Sequence, residues 1–342
     1  MISFSKTRRQ AGIVCFPRRK PGPFSSAAVL AQKVACGIAV LVLLTGPLAI
    51  RHVVQLPAGN AEYVAMGSSF AAGPGDGQRA PGSYFPCMRS SENYAHLLAK
   101  RTGMKLKDVT CSGATTRHIL DGGQLFQPAQ VDAVDTTTKL VTVTIGGNDV
   151  FYLGTLGAWA CANDPAAVPA GARWVGLCMG MSNDRVQKAF VTLPAQMTRV
   201  VQEIHRRAPV ARVLFIDYAT VLPSQGTCGQ LHLSSQEAET GRQIAARLAA
   251  VTAEVARATN SGLIKASEIT QGHDVCSAQP WVYGFVFSEH ILRFGPAPFH
   301  PRIEAMTAIA EALATEVARE PPYLERQTMR KETLPRQRTF HE

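Results

Sequence analysis

The sequence is poor in charged and aromatic residues. Asp, Glu, Lys and Arg make up 18% of its 342 residues, and Phe, Trp and Tyr make up 7%. Apolar residues reach 46% and the mean hydropathy is +0.01. These values exclude a wholly disordered chain and a protein that crosses a membrane many times. The length is sufficient to bury the core of one large globular domain or of two ordinary ones.

Several short motifs with well-defined chemistry are absent. No CxxC or CxxH pair occurs, so we expect no zinc site. The glycine-rich stretch at 73–77 fits neither GxGxxG nor the P-loop pattern, which argues against nucleotide binding. The G-x-S-x-G elbow of another hydrolase class is also absent. Residues 176–180 form the same pattern with Cys178 in place of the serine, but a disulfide explains this cysteine better than a role as nucleophile. We expect neither a metal nor an organic cofactor.

Acidic residues are missing from residues 1–60, where eight Lys and Arg residues lie. Residues 61–320 hold 22 basic and 22 acidic residues, so the net charge of +10 comes from the two ends of the chain. A neutral body with basic ends lacks the positive face by which proteins bind nucleic acid. We therefore expect no nucleic-acid partner.

An uncharged apolar run over residues 34–50 follows the basic segment 1–33. This order is typical of an export signal or of a signal anchor that leaves residues 1–33 in the cytoplasm. The length of the run does not decide between cleavage and membrane attachment through residues 34–50. Either way we expect an exported body, outside the cell or at its surface. Residues 51–60 read as a linker, 61–320 as the domain and 321–342 as a flexible charged tail.

Cysteine usage agrees with export. Two of the eight cysteines, Cys15 and Cys36, precede the predicted domain, and six lie within it. Six cysteines in an exported domain indicate three disulfides, although their spacing does not decide among the possible pairings.

Short β-prone runs alternate with helical segments along the predicted domain. We expect strands at 63–66, 105–109, 140–145, 212–218 and 263–266, and helices at 90–102, 183–207, after Ser234 or Ser235, and at 302–319. This alternation predicts a parallel sheet covered on both faces, with its chemistry beyond the carboxyl ends of the strands. Pro194 is expected to kink or split its helix, and 156–181 and 270–299 are expected to be long loops.

Four blocks with candidate catalytic residues occur in a fixed order. Gly67-Ser68-Ser69 follows the first predicted strand, Cys111–Thr116 the second and Gly146–Asp149 the third, and Phe299-His300-Pro301 precedes the last helix. Over residues 61–316 these blocks resemble those of the SGNH (GDSL-type) hydrolases. The six cysteines resemble the disulfide-bearing branch of secreted actinobacterial-type esterases and lipases.

The resemblance implies a flavodoxin-like three-layer α/β/α sandwich with a parallel sheet. It also implies a carboxylic ester hydrolase that forms an acyl-enzyme on Ser69, with His300 as the general base. The oxyanion hole then consists of the backbone N–H groups of Ser69 and Gly113 and the side chain of Asn148. These roles are chemically coherent, because a serine hydroxyl needs a base and the oxyanion needs preorganised donors.

The chain departs from the family pattern at two places. The first block usually reads Gly-Asp-Ser-Leu, whereas Ser68 and Phe70 stand here in place of the aspartate and the leucine. The acid that usually lies three residues before the histidine is replaced by Ala297. We therefore expect a dyad of Ser69 and His300, with a main-chain acceptor within 281–298 orienting the imidazole.

The resemblance also implies the disulfide pairs Cys87 with Cys111, Cys161 with Cys178, and Cys228 with Cys276. Lipid or small acyl esters are the expected substrates, and the protein is expected to be a monomer. The candidates for an apolar acyl pocket are Met66, Phe70, Phe151, Tyr152, Trp281, Phe285 and Phe287, of which Met66 is favoured as core. Because only neutral imidazole acts as a base, activity is expected to fall between pH 8 and pH 5.

Two other functions stay open at this point. A glycan O-acetyl esterase would use the same residues on a different ester. A non-catalytic cell-surface binding module would keep the scaffold after losing the acid. Turnover of a simple ester, abolished by Ser69→Ala, distinguishes both enzymes from the binding module.

Overall fold

A single parallel sheet lies at the centre of the computed structural model, which describes residues 60–75, 77–169, 178–287 and 295–319. Its strand order is β2-β1-β3-β4-β5. The strands are β1 (Tyr63–Gly67), β2 (Leu106–Asp108), β3 (Leu140–Thr144), β4 (Arg212–Ile216) and β5 (Gly262–Ile264). The predicted export segment, linker and charged tail lie outside the described residues, apart from Asn60.

Helices follow the strands along the chain. They are α1 (Ser69–Ala72), α2 (Tyr94–Thr102), α3 (Thr116–Leu120), α4 (Tyr152–Asn163), α5 (Asn183–Arg207), α6 (Ser235–Ala258), α7 (Ala266–Ile269) and α8 (Ile303–Arg319). None of the helices within the described ranges is long and apolar enough to cross a membrane.

The sheet is covered on both faces because successive strand residues point to opposite sides. Tyr63 and Ala65 of β1 pack on one face together with residues of α2 and α8. Val64 and Met66 pack on the other face together with residues of α5 and α6. Every residue of β1, β3 and β4 is buried, as expected for parallel strands between two helical layers. The predicted three-layer α/β/α fold is confirmed.

The start of α6 illustrates how local sequence sets an element boundary. The Ser234 side chain accepts a hydrogen bond from the Glu237 N–H at 3.3 Å, and the Glu237 carboxylate accepts one from the Ser234 N–H at 2.8 Å. This reciprocal pair satisfies two backbone donors that a helix start leaves free. Of the two predicted caps, Ser234 is the one used.

One prediction about the helices was wrong, and another was right only in one of its two alternatives. Residues 152–163 form α4, so residues 156–163 are helical where the first part of a long loop over 156–181 was expected. The α4 sequence is apolar on every side and contains two glycines, so it shows no helical period. Pro194 was expected to kink or to split its helix, and the split is excluded because α5 continues through this residue. Phe190 and Met197, on either side of Pro194, are both buried in the same core, which holds the two halves together.

Three disulfides join the same cysteine pairs that the resemblance implied: Cys87 with Cys111, Cys161 with Cys178, and Cys228 with Cys276. The first connects the loop after β2 to the segment before α2. Beside it, the Ser112 N–H donates to the Cys87 carbonyl at 3.1 Å. The loop that carries Gly113 is therefore fixed by a covalent bond and by a backbone hydrogen bond.

Gly67 ends β1 at a point where only glycine fits. Its φ is +136°, and a Cβ there would overlap the Thr144 carbonyl oxygen on the neighbouring strand. Gly103, at the end of α2, also has a positive φ of +70°, but no atom lies within 4 Å of its Cβ position. Comparing alanine substitutions at the two glycines therefore distinguishes the cost of steric overlap from the cost of backbone strain.

We expect Gly67→Ala to lower the free energy of unfolding by about 3 kcal/mol or more, through overlap added to strain. Gly103→Ala, the matched control, should cost about 1 kcal/mol through strain alone. Chemical denaturation of both variants checks this. Equal losses would show that overlap at Gly67 is relieved by a small backbone shift.

Candidate active site

The carboxyl ends of three neighbouring strands carry the predicted site residues. Ser69 follows β1, Gly113 lies in the loop after β2, and Asn148 lies in the loop after β3. His300 comes from elsewhere, since it lies three residues before α8. All four line one cavity of about 350 Å³. The structure therefore brings together residues that are up to 231 positions apart in the sequence.

Backbone pairing holds His300 in place. The Tyr283 N–H donates to the His300 carbonyl at 2.9 Å, and the Arg302 N–H donates to the Trp281 carbonyl at 2.7 Å. The Phe299 N–H donates to the Gly284 carbonyl at 3.2 Å. Residues 281–284 thus run beside residues 299–302 and fix the direction in which the imidazole points.

The imidazole is oriented by a main-chain carbonyl. Nδ1 of His300 lies 2.8 Å from the Pro298 carbonyl oxygen, which falls within the predicted window. Because a carbonyl oxygen can only accept, Nδ1 carries the proton and Nε2 presents a lone pair. Nε2 is enclosed and has no hydrogen-bond partner in the described part of the chain. Ala297 has no carboxylate, and the Pro298 carbonyl accepts the Nδ1 hydrogen bond that an acidic side chain would otherwise accept.

Burial sets the basicity of this imidazole. It lowers the pKa of His300 to about 4, and the hydrogen bond to Pro298 acts in the opposite direction. Enclosure disfavours the charged imidazolium, and no carboxylate among the described residues is hydrogen-bonded to the ring to stabilise it. His300 is therefore neutral over the whole range from mildly acidic to alkaline pH.

Ser69 and His300 line the same cavity, and the residue next to Ser69 lies close to the imidazole. The ring of Phe70, the next residue in α1, lies 5.4 Å from the imidazole and 4.7 Å from the Tyr218 ring. Since Nε2 is unpartnered, no hydrogen bond joins Ser69 to His300 in this structure. Such contacts are often open in sites without substrate and tighten when substrate binds.

The predicted oxyanion donors lie on the loops after β2 and β3. Gly113 has a φ of +83°, in the region that favours glycine. It has no side chain that could cover its own N–H. The Asn148 amide donates one hydrogen to the Ala114 carbonyl at 2.9 Å, which leaves its second N–H free for another acceptor. This hydrogen bond also fixes the amide relative to the Gly113 loop.

Tyr218, just after β4, joins the first and third blocks, and the sequence did not single it out. Its hydroxyl accepts a hydrogen bond from the Gly147 N–H at 2.8 Å and lies 3.2 Å from the Ser68 hydroxyl. Burial raises the pKa of Tyr218 to about 12, so the hydroxyl keeps its proton. Gly147 permits this approach, because a Cβ there would lie 2.5 Å from the tyrosine ring.

Two further side chains brace the same loops and were also missed. The buried Gln130 amide accepts from the Gly67 N–H at 2.8 Å and donates to the Gly67 carbonyl at 3.1 Å. The Asp149 carboxylate accepts from the Thr116 N–H at 3.1 Å and from its hydroxyl at 2.5 Å. Burial raises the pKa of Asp149 above its ordinary value. Their partners are distant in sequence, so no local motif identifies them.

The cavity wall is largely apolar, but most of the predicted acyl-pocket residues are elsewhere. Phe285 and Phe287 line it, and the other apolar side chains of the wall are Pro74, Met88, Leu153, Pro169, Pro296, Ala297, Pro298 and Phe299. Met66, Phe70, Phe151, Tyr152 and Trp281 do not line it. Met66, Phe70 and Tyr152 are buried in the core, and Trp281 stacks on His273 at 3.7 Å between ring centres.

Comparison with known proteins agrees with this geometry. Residues 65–308 match the model of the GDSL-like Lipase/Acylhydrolase family. Lipase 2 of Streptomyces coelicolor is 30% identical over 259 residues, which are 73% of this chain and 83% of that protein. A lipase of Streptomyces rimosus is 31% identical over 227 residues, which are 65% of this chain and 76% of that protein.

Solved structures share the fold. The extracellular lipase from Streptomyces rimosus superposes with a TM-score of 0.56 at 27% identity, covering 75% of this chain and 99% of that chain. Phospholipase A1 from Streptomyces albidoflavus gives a TM-score of 0.60 at 23% identity, with the same coverage of 75% and 99%. The chain therefore belongs to the GDSL-like (SGNH) lipase/acylhydrolase family and is a carboxylic ester hydrolase.

Proposed function

We propose that the protein is an exported lipase or esterase that cleaves acyl esters through an acyl-enzyme on Ser69, with His300 as the base. The observation that carries this proposal is the convergence of Ser69, His300, Gly113 and Asn148 on one cavity. Nucleophile, base and oxyanion donors are the parts that acyl transfer requires.

The proposed reaction begins when Nε2 of His300 takes the hydroxyl proton of Ser69 as Oγ bonds to the ester carbonyl carbon. The negative charge moves to the carbonyl oxygen, which the N–H groups of Ser69 and Gly113 and the free amide N–H of Asn148 stabilise. The imidazolium then gives its proton to the departing alkoxide, and the alcohol leaves. Water repeats the sequence on the acyl-enzyme and releases the acid.

In this mechanism the Pro298 carbonyl orients the imidazole of His300, which in other family members is done by a carboxylate. It holds the Nδ1 proton throughout, so that Nε2 alone exchanges a proton with Ser69 and the leaving group. A neutral acceptor orients the ring but stabilises the imidazolium less than a carboxylate would.

The low polarity of the cavity wall favours an acyl chain over a sugar as the group bound there. Apart from Ser69, Asn148 and His300, the only polar side chain lining the described part of the cavity is Ser112. A glycan would need several hydrogen-bonding groups for its hydroxyls, whereas an acyl chain needs apolar contact. We therefore place lipid or short acyl esters ahead of glycan O-acetyl groups as substrates.

Export is supported by two independent features. Three disulfides persist only where the surroundings are oxidising, as they are outside the cell. The basic segment 1–33 before an apolar run is typical of a chain directed to the export machinery.

Hydrolysis of p-nitrophenyl esters from acetyl to palmitoyl tests the proposal. We expect turnover by the natural chain, and a loss of roughly a thousandfold or more in Ser69→Ala because the nucleophile is gone. Ser112→Ala is the matched control, since this serine lines the same cavity but its hydroxyl has no hydrogen-bond partner in the described residues. Its loss should stay below about tenfold. Absence of turnover in the natural chain would favour a binding module instead.

The pH dependence follows from the buried base. Since the pKa of His300 is lowered to about 4, kcat/KM should stay flat from pH 8 to pH 5 and fall only as pH drops through about 4. This revises the sequence-based expectation of a fall between pH 8 and pH 5. Each sample is assayed again at pH 7 to separate protonation from acid unfolding. A midpoint near 6.5 would mean that the imidazole is more exposed than the structure has it.

Tyr218→Phe tests whether the tyrosine hydroxyl positions the oxyanion loop. The change leaves the Gly147 N–H without its acceptor, beside Asn148, and should lower kcat by about tenfold while KM changes less than about twofold. The matched control is Tyr152→Phe, whose hydroxyl makes no hydrogen bond within the described residues and whose ring lies 6.4 Å from that of Tyr218. Equal effects of both variants on kcat would remove this role from Tyr218.

A further inference from the structure

Apolar side chains are exposed on two segments next to the cavity. Phe126 is 76% exposed and Leu125 is 44% exposed, and both belong to the short turn Gln124–Phe126. Val286 is 45% exposed and lies between Phe285 and Phe287, which line the cavity. We call Leu125, Phe126 and Val286 the apolar rim.

The first segment is anchored beside the proposed oxyanion hole. The Gln124 side-chain amide donates to the Ser112 carbonyl at 2.7 Å, and Ser112 and Gly113 both line the cavity. The turn is closed by the Gly123 N–H, which donates to the Gln127 carbonyl at 2.9 Å, and by the Gln127 N–H, which donates to the Gln124 carbonyl at 2.7 Å. Its tip is therefore held by defined contacts at the edge of the site.

The tip of this turn is strained. Leu125 and Phe126 have φ values of +49° and +63°, in the left-handed region that bulky residues rarely occupy. Two adjacent bulky residues in this conformation cost free energy, and neither side chain recovers it by burial in the described core. Strain combined with exposure of a large aromatic side chain points to a function at the surface.

The second segment is continuous with the cavity wall. Phe285 is buried, with its ring 5.1 Å from that of Phe287 and 5.7 Å from that of Phe299. The Val286 N–H donates to the Gly284 carbonyl at 2.9 Å, which fixes the turn between the two lining phenylalanines. Val286 thus extends the apolar wall of the cavity to the outer surface.

Both segments are free of charge. Residues 122–131 and 275–287 contain no Asp, Glu, Lys or Arg. A surface that binds a charged macromolecule uses charged partners, whereas insertion into an uncharged lipid layer uses exposed apolar side chains and is little affected by salt. The rim therefore fits an uncharged or zwitterionic lipid surface.

We propose that the apolar rim docks the protein onto a lipid surface and places the cavity mouth against it. An acyl chain then passes from the lipid layer into the apolar cavity without crossing water. This inference rests on the proposed function, because it assigns the ester substrate of the same cavity to an aggregated lipid.

The kinetic test compares the same variant on two substrates. Leu125→Ser combined with Phe126→Ser should lower the rate on phosphatidylcholine vesicles by about tenfold or more, and change kcat/KM on soluble p-nitrophenyl butyrate by less than about twofold. Val191→Ser is the matched control, because Val191 is 75% exposed on α5 and does not line the cavity. It should affect neither rate. All proteins are full chains, so any lipid contact by residues 34–50 is common to them.

A binding test without turnover locates the contact. In the Ser69→Ala background, tryptophan introduced by Phe126→Trp should be quenched by phosphatidylcholine vesicles with brominated acyl chains, at low and at high salt alike. Tryptophan introduced by Val191→Trp should not be quenched. This measurement can succeed even if Ser69 proves not to be the nucleophile, so it is independent of the proposed mechanism.

Three results would overturn the proposal. The first is an equal loss on vesicles and on soluble ester, which would assign the turn to support of the Gly113 loop. The second is quenching that requires anionic lipid or disappears with salt. The third is a change of oligomeric state in the Leu125→Ser, Phe126→Ser variant with vesicle binding intact, which would assign the rim to a second copy of the chain.

Discussion

The hydrogen bond between His300 and the Pro298 carbonyl is the contact on which the site depends. It decides which imidazole nitrogen carries the proton, and so it leaves the lone pair on Nε2. Family members with an acid at this place gain a charge partner for the imidazolium, which raises basicity as well as fixing direction. In this chain the Pro298 carbonyl fixes the orientation of the imidazole but provides no negative charge. The imidazole is therefore a weak base that stays deprotonated where an ordinary histidine is charged.

A layer of buried polar side chains supports this arrangement from behind. Tyr218, Gln130 and Asp149 each accept a hydrogen bond from a backbone N–H within three residues of a proposed site residue. Since a buried N–H without an acceptor is costly, these side chains favour one conformation of each loop. These segments are in this way fixed before substrate binds, which is the condition for the oxyanion stabilisation that we propose.

Features that depend on neighbouring residues could be predicted from the sequence, whereas contacts between residues far apart in the chain were missed. The strands β1, β3 and β4 were evident because each is rich in apolar and β-branched or aromatic residues, which favour strands. The proposed site residues Ser69, Gly113, Asn148 and His300 could be nominated because each lies in a recognisable block. Tyr218, in contrast, meets Ser68 across 150 positions, and Gln130 meets Gly67 across 63, so no pattern connects them. The aromatic residues of the acyl pocket were largely misassigned, because the side of a loop or helix that faces a cavity is decided by packing.

Because of the disulfide between Cys87 and Cys111, the covalent anchoring of the loop that bears Gly113 depends on the redox state of the compartment that holds the chain. Inside a reducing cytosol the thiols stay apart, and the loop bearing Gly113 loses its covalent anchor. With Gly113 as the proposed oxyanion donor, a chain whose thiols are reduced would be a poor catalyst.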